Sequence, residues 1–267
     1  IGHIADRAEA VAARAVDSRD DNMLLISTDG RKAALDLRLV DERAVQSGPV
    51  KLDAVASSIL RHWEQSRDRV YADELTGEPS AVRGALQLVF SDLGTPNDRR
   101  WDAYNELRSK LIEGGMPADS IRFIHEAKDD RAKGRLFAAA RAGHVAVLIG
   151  STSKMGMGTN VQHRLAALHH IDCPWRPADL EQRDGRAIRQ GNQNPEVAMY
   201  RYVVERSFDA YSWQTVGRKA TFIAQVMRGR LDAREIEDIG DTALSAAEAK
   251  ALASGNPLVL EKATADV

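Results

Sequence analysis

The chain has 267 residues, 43% of them hydrophobic and 28% charged, with a net charge of −2; this balance fits a soluble globular protein of one large domain, with or without accessory helices. Cys173 is the only cysteine, which excludes an internal disulfide and fits a reducing cytoplasm. No apolar run approaches the roughly 18 residues of a membrane span and no secretory signal is visible, so we expect a cytoplasmic protein with no membrane partner.

The first 40 residues are predicted to form a helix followed by a β-hairpin. Residues 1–20 are rich in Ala and Arg at helical spacing. Two apolar runs, at 24–27 and 33–40, flank a turn that contains Asp29-Gly30. An Asp-Gly pair between apolar runs is a strong hairpin signal.

A second helix and a linker complete the predicted accessory segment, residues 1–80. The stretch 51–66 places its large apolar residues on one helical stripe, and these are Leu52, Val55, Ile59, Leu60 and Trp63. Residues 72–83 contain Gly and Pro with few apolar residues and are typical of a linker. Because the first residue is Ile1 rather than Met, we expect the chain to be a fragment of a longer protein.

From residue 84 short apolar strands alternate with helices. Strands are predicted at 86–90, 121–125, 145–150, 165–171 and 198–204, and helices at about 98–114, 129–142, 178–190 and 207–229. This alternation indicates an α/β fold, with a parallel sheet covered by helices on both faces. We assign this lobe to 81–230 and a C-terminal helical tail to 231–267. Ligands of such folds bind in loops at the carboxyl ends of the strands.

Charge is unevenly distributed near the C-terminus. Residues 217–234 hold Arg218, Lys219, Arg228, Arg230 and Arg234 against the single acid Asp232, and an acidic stretch begins at Glu235. Such a pattern is typical of a nucleic-acid contact or of a solvated helix face. The net charge argues mildly against a dedicated nucleic-acid binder, so both interpretations stay open.

Two arginines on one predicted helix are the first candidate site. Arg186 and Arg189 are three residues apart in 178–190, so both guanidinium groups are expected on one helix face. Two fixed guanidinium groups can neutralise the charge that develops on a γ-phosphate during transfer. Surface arginines on a helix are common, so spacing alone does not decide between the two interpretations.

The second candidate is the loop that follows the strand at 145–150. Residues 151–160 read STSKMGMGTN, and hydroxyls, a lysine and small residues in such a loop suit an oxyanion. The loop is not a P-loop, because that motif needs Gly-Lys before Ser or Thr and the chain contains no Gly-Lys pair.

The end of the predicted strand 165–171 and the residues after it contain four possible metal ligands. His169, His170, Asp172 and Cys173 are all possible ligands. Successive strand residues point to opposite faces, so at most two of them converge, and we expect no metal site. Trp175 is open to two interpretations, stacking on a base or packing against its own lobe.

The order of these motifs resembles the second RecA-like lobe of Swi/Snf-type motors of helicase superfamily two. STSKMGMGTNVQ is similar to their fifth motif, and LAALHHIDCPWRPADLEQRDGRAIRQGNQ is similar to the segment leading into their sixth. LQLVFSD resembles the fourth motif, and the resemblance covers roughly residues 51–225. Two features depart from the family: Met155 to Thr159 lack its third glycine and leucine, and Gly185-Arg186 is closer to other superfamily-two helicases.

The resemblance implies an ATP-driven DNA translocase or helicase that acts on double-stranded DNA. ATP with Mg²⁺ would be held mainly by a first RecA-like lobe of the same polypeptide, so this chain is expected to be inactive as an ATPase alone. Arg186 and Arg189 would reach that ATP as arginine fingers. The cleft would be lined by Gly156, Gly158, Thr159 and Asn160, and the finger helix held in register by Gln182 and Asp184.

The same resemblance implies a DNA-facing side and a further domain. Ser91, Ser151, Thr152 and Lys154 would face the DNA backbone; such contacts are independent of sequence and sensitive to salt. The segments at 21–40 and 251–263 resemble very large phage and plasmid proteins that fuse a helicase to an adenine methyltransferase, which implies a methyltransferase partner. Two alternatives stay open: a non-catalytic nucleic-acid-binding or scaffold module, and an RNA-directed helicase lobe.

Overall fold

The structure, a computed structural model, describes residues 2–17, 19–45, 50–74, 76–155, 160–205 and 207–227. These residues form two compact units. Unit 1 holds the described residues within 2–41, 173–177 and 203–227, and unit 2 those within 42–172 and 178–202. Across the described ranges, no helix has both the length and the apolar character that a membrane crossing requires.

Eight α-helices and five strands are found in the described ranges. The helices are α1 (Gly2–Ala12), α2 (Met23–Leu35), α3 (Lys51–Ser66), α4 (Ala103–Glu113), α5 (Asp130–Ala142), α6 (Thr152–Met155), α7 (Pro177–Asp184) and α8 (Phe208–Met227). The strands are β1 (Leu86–Phe90), β2 (Ile121–Phe123), β3 (Val147–Gly150), β4 (Leu165–His170) and β5 (Ala198–Arg201). Short 3₁₀ turns occupy Leu37–Leu39, Ala118–Ser120, Ile124–Glu126 and Gln162–Arg164.

Unit 2 is built on one parallel sheet with the strand order β2-β3-β1-β4-β5. All residues of β1 and β3 are buried, as expected when helices cover both faces of a parallel sheet. Its core contains Leu86, Leu88, Phe90, Leu148 and Leu168, with Leu136 and Phe137 from α5. The predicted α/β fold with a parallel sheet is confirmed.

Two helices of unit 2 begin at aspartate caps. The side chain of Asp102 accepts the N–H of Asn105 at the start of α4, and that of Asp129 accepts the N–H of Ala132 at the start of α5. A side-chain acceptor at this position satisfies a backbone donor that has no partner in the helix. The cap at Asp102 shortens the predicted helix 98–114, and β2 is also shorter than predicted because a 3₁₀ turn follows Phe123.

The glycine that ends α5 is required by both conformation and space. Gly143 has φ of +94°, in the left-handed region, where a residue with a Cβ is disfavoured. A Cβ there would also collide with Nη1 of the buried Arg164. The chain therefore turns out of α5 at a position that only glycine fills without strain.

Unit 1 is helical, and the predicted hairpin at 24–40 is wrong. Asn22 caps α2 by accepting the N–H groups of Leu24 and Leu25, and the helix continues through Asp29 and Gly30. Ile26 joins Ile4, Ala8 and Phe208 in the core of this unit.

Asp29 and Gly30 make packing contacts between helices and do not form a turn. Asp29 lies 2.9 Å from Nη1 of Arg7 on α1. A Cβ at Gly30 would lie 2.5 Å from the Phe208 ring, so the glycine lets α2 approach α8. The predicted helix at 207–229 is confirmed as α8 from Phe208 to Met227. Arg228, Arg230, Arg234 and the predicted tail at 231–267 lie outside the described residues.

Candidate functional site

A buried ionic cluster lies where the carboxyl ends of the central strands meet α7. We call Asp92, Thr152, Asp172 and Arg183 the Arg183 cluster. The Arg183 side chain is 0% exposed, and its Nη2 lies 2.7 Å from Oδ2 of Asp92 and 3.0 Å from Oδ1 of Asp172. Its Nε donates to Oγ1 of Thr152 at 2.8 Å, and its Nη1 donates to the carbonyl of Asp172 at 2.9 Å.

The other members of the Arg183 cluster are bonded to one another. Asp92 accepts from the backbone N–H of Thr152 at 2.6 Å and from its hydroxyl at 2.8 Å. Oδ2 of Asp172 accepts the backbone N–H groups of Asp92 and Leu93 at 2.6 and 2.9 Å. Buried charges are costly unless their partners are paired and hydrogen-bonded. This cluster meets that condition, since Asp172 and Arg183 are buried with partners at each charged group.

Burial and the two carboxylates act on the pKa of Arg183 in opposite directions. Burial alone would lower the pKa of Arg183, but the charges of Asp172 and Asp92 outweigh burial and raise it. The guanidinium also lies over the ring of Phe90, 5.4 Å from its centroid. The cluster is therefore a fixed ion-pair network that joins β1, β3, β4 and α7.

Asp184 ties the end of α7 to the last residues of β4 and β5. Oδ1 of Asp184 accepts from Nε2 of His170, and Oδ2 accepts from Nη2 of Arg201. Burial lowers the pKa of His170, so its neutral ring donates to the carboxylate. Burial alone would raise the pKa of Asp184, but the hydrogen bond from His170 and the charge of Arg201 lower it.

The two candidate fingers lie beyond the end of α7, so their predicted place on one face of a helix spanning 178–190 is wrong. The helix ends at Asp184 and turns at residues 185–188, because Gly185 follows and glycine favours helix termination. Arg186 is 9% exposed, whereas Arg189 is exposed and its Nε donates to the carbonyl of Gly185 at 3.1 Å.

Arg186 combines burial with an unused donor. Among the described residues, no acceptor lies within hydrogen-bond distance of its buried Nε. Burial, and then the positive charge of Arg189, lowers the pKa of Arg186. The two guanidinium groups and the unbonded Nε–H of Arg186 form a positively charged site that could bind an anion.

The residues expected to face DNA differ in exposure. Ser91, Ser151 and Thr152 are buried, and their hydroxyls bond inside the protein: Ser91 to the carbonyl of Leu93, Ser151 to Ser153, and Thr152 within the Arg183 cluster. Lys154, at the end of the same segment, is exposed. The predicted DNA contact of this group stays a prediction, with Lys154 the one of the four that reaches solvent.

Only part of the predicted cleft lining lies in the described residues. Gly156, Gly158 and Thr159 lie outside them. Asn160 is exposed, and its carbonyl accepts from Nη1 of Arg141 at 3.0 Å. Gln182 is exposed on α7.

The neighbouring histidines at the end of β4 face opposite sides of the sheet. Nε2 of His169 lies 3.0 Å from Oε1 of Gln87, whose amide nitrogen donates to the carbonyl of Ile59. The oxygen of that amide must therefore accept, so His169 donates through Nε2 and accepts the hydroxyl of Tyr202 at Nδ1, 2.8 Å away. Burial, followed by the charges of His62 and His170, lowers the pKa of His169 to about 3.

Arg183 and Asp92 were not among the residues that the sequence predicted for the site. A signal for the first was present: Arg183, Arg186 and Arg189 repeat every three residues, and the first of them takes the buried side of α7. Nothing local marks Asp92, because its partner lies 91 residues further along the chain.

With this geometry in place, comparison with known proteins defines a class for part of the chain. Residues 99–191 match the family model of the helicase conserved C-terminal domain. The matched stretch includes Thr152, Asp172, Arg183, Arg186 and Arg189. Over these residues the chain is similar to a helicase C-terminal domain.

A curated relative is the "Defense against restriction protein B" of Escherichia phage P1. It is 31% identical over 141 residues, which are 53% of this chain and 6% of the phage protein. The chain thus spans a small part of the length of that relative.

Solved structures with a similar fold include the C-terminal part of the Fun30 ATPase domain, with 15% identity, a TM-score of 0.43, and coverage of 84% of this chain and 58% of that one. A DUF1998 helicase, MrfA, bound to DNA has 16% identity, a TM-score of 0.38, and coverage of 52% and 18%. The E. coli DEAD-box protein SrmB, bound to the regulator RraA, has 17% identity, a TM-score of 0.42, and coverage of 62% and 79%. All three TM-scores are below 0.5, so the class rests on the family model.

Proposed function

We propose that this chain is the second motor lobe of an ATP-dependent DNA translocase or helicase of the Swi/Snf type. The helicase C-terminal domain at 99–191 supports the general class. The observation that carries the proposal is Arg186, a buried guanidinium whose Nε has no acceptor among the described residues and whose pKa is lowered by burial and by the nearby charge of Arg189.

In this proposal the two arginines act on nucleotide held by another lobe. ATP with Mg²⁺, bound mainly by a first RecA-like lobe, supplies the phosphoryl group that is transferred to water. Arg186 donates hydrogen bonds to the developing charge, and Arg189 adds its positive charge from the exposed side of the turn. Gly156, Gly158, Thr159 and Asn160 line the cleft, while Gln182 and Asp184 keep α7 in register.

Lys154 is proposed to contact the DNA backbone. It is exposed and follows the carboxyl end of β3, where ligands of parallel α/β folds bind. A single lysine on a phosphate gives affinity that does not depend on base sequence and falls with salt. Ser91, Ser151 and Thr152 are buried and would shape the segment that presents Lys154.

The likeness to the phage protein favours DNA over RNA as the substrate. That relative is named for defence against restriction, which concerns DNA, and we propose a cytoplasmic, DNA-directed role here. The resemblance of the flanking segments supports a methyltransferase domain in the same polypeptide. Competition among duplex DNA, duplex RNA and single strands for the complete protein separates these substrates.

The decisive experiment is arginine replacement in the complete polypeptide. Arg186→Ala and Arg189→Ala should each lower DNA-stimulated ATP turnover by about 10³-fold. Arg135→Ala, at an exposed position on α5, should leave turnover unchanged. Normal turnover in both finger variants would overturn the motor assignment and favour a non-catalytic binding or scaffold module. Absence of any strand-associated Gly-Lys-Ser/Thr motif in the rest of the polypeptide would do the same.

A further inference from the structure

Arg183 connects the segment after β3 to the turn that carries Arg186. Its side chain is 0% exposed and donates to Thr152, Asp92 and Asp172 at distances from 2.7 to 3.0 Å. Its own backbone carbonyl accepts the N–H of Arg186 at 3.0 Å. Arg183 therefore bonds through its side chain to the segments that follow β1, β3 and β4, and through its backbone to the turn that carries Arg186.

The bonded partners of Arg183 lie close to both proposed functional groups. Thr152 begins α6, which ends one residue after the exposed Lys154. Arg186 follows Arg183 by three residues. A displacement of Lys154 by a DNA backbone would therefore act on Thr152 in the same short helix. The Arg183 cluster would transmit it to the turn that carries Arg186.

Geometry explains why the central residue is arginine. The planar guanidinium presents donors in several fixed directions, and here three of its nitrogens each donate to a different group or pair of groups. A lysine has the same charge but a single flexible ammonium group. Its three donors sit on one nitrogen atom, so it cannot replace the four hydrogen bonds that the three guanidinium nitrogens of Arg183 make here.

We propose that Arg183 is a positioning residue that transmits DNA contact near Lys154 to the orientation of Arg186. This inference rests on the proposed motor function and goes beyond it, since Arg183 itself touches neither DNA nor nucleotide. Catalysis is sensitive to small displacements: misplacing a group by about 1 Å can cost about 100-fold. Loss of the link should therefore reduce the stimulation of turnover by DNA more than it reduces basal turnover.

The test uses the complete polypeptide and the ratio of DNA-stimulated to basal ATP turnover. Arg183→Lys should lower this ratio by about tenfold, with little change in the salt slope of DNA binding. Arg122→Lys is the matched control, because Arg122 is a partly exposed arginine on β2 that pairs with Glu126 at 2.6 Å. A change that merely weakened the fold would lower basal and stimulated turnover by the same factor.

A second pair of variants keeps the test decisive if Arg183→Lys fails to fold. Thr152→Val removes the hydroxyl that bonds Arg183 and Asp92, whereas Thr152→Ser retains it. The ratio should fall in the valine variant and stay within about twofold of the unsubstituted protein in the serine variant.

The outcomes separate this inference from the proposed function. An unchanged ratio in folded Arg183→Lys or in Thr152→Val, or equal loss of both rates, would overturn the positioning role while Arg186→Ala still tests the motor. No ATP turnover in the unsubstituted protein would overturn both.

Discussion

Nε2 of His170 donates a hydrogen bond to Oδ1 of Asp184 over 2.8 Å, and so joins the last residue of β4 to the last residue of α7. The His170 side chain is 0% exposed and that of Asp184 is 19% exposed. The second oxygen of Asp184 accepts from Arg201, the last residue of β5. The position of the turn after α7 is therefore set by the sheet.

Removing this carboxylate should destabilise the fold. Asp184→Ala leaves the buried Nε2–H of His170 without its acceptor, which should cost about 1–3 kcal/mol of the free energy of unfolding. Glu181→Ala, at an exposed position on the same helix, should cost less than about 0.5 kcal/mol. Urea unfolding followed by circular dichroism measures both values. Equal costs in the two variants would contradict the structural role of the pair.

Stability should fall in acid, partly because of His169. Its pKa is about 3 in the folded chain against an ordinary value of 6.5. Below 6.5 the unfolded chain takes up a proton that the folded chain does not, so the free energy of unfolding decreases by up to about 1.4 kcal/mol per pH unit. This contribution is complete above the unfolded pKa and is lost as the pH falls towards the folded one.

Substitution separates His169 from the other histidines. His62, His125 and His170, whose pKa values are also lowered by burial, add to the slope in every variant. His169→Gln should reduce the slope between about pH 6.5 and pH 4.5 by close to one proton relative to the unsubstituted chain. Identical slopes in the variant and the unsubstituted chain would count against a neutral buried His169.

Two glycines with the same backbone conformation separate strain from steric contact. Gly143 and Gly115 both have φ of +94°, but a Cβ at Gly115 meets nothing within 4 Å, while one at Gly143 meets Arg164. Gly115→Ala should cost about 1–2 kcal/mol for the left-handed conformation alone. Gly143→Ala should cost more, because Arg164 must also move. The difference between their melting temperatures measures the contact, and a larger loss at Gly115 would exclude this explanation.

Lys154 should contribute one phosphate contact to DNA affinity. Lys154→Ala in the complete polypeptide should lower affinity for duplex DNA of any sequence and reduce the slope of log affinity against log salt by about 0.9. Arg83→Ala serves as the control, because Arg83 is exposed near the amino end of β1, at the opposite edge of the sheet. DNA-binding titrations at several salt concentrations measure the two slopes. Equal slopes in both variants would show that Lys154 makes no phosphate contact.

Local sequence was enough to predict the sheet but not the helix α2. The strands of unit 2 are short apolar runs, and a run buried on both faces has that composition wherever it occurs. Asp29 and Gly30 were misleading because their reasons are distant: Arg7 holds the aspartate, and the Phe208 ring occupies the space beside the glycine. An Asp-Gly pair has the same local sequence whether it forms a turn or is selected by packing against distant residues.

The candidate site was predicted in part for a similar reason. The loop after β3 and the Arg186–Arg189 pair follow recognisable spacing. The burial of Arg183 does not, because a charged side chain is buried only where it has charged or hydrogen-bonding partners. Those partners are Asp92 and Asp172, in the segments that follow β1 and β4. The end of α7 at Asp184 was also missed, although Gly185 marked it.

The central position of β1 has a consequence during synthesis on the ribosome. β1 emerges first among the five strands, yet its two neighbours are β3 and β4, and Asp92 must wait for Arg183, 91 residues later. At typical elongation rates that interval is roughly 5–20 s. Until β3 and β4 have also been made, β1 is an apolar strand with two open edges, exposed to proteases and to pairing with other chains. Nascent chains halted before Val147 should therefore be the forms that bind chaperones and aggregate most readily.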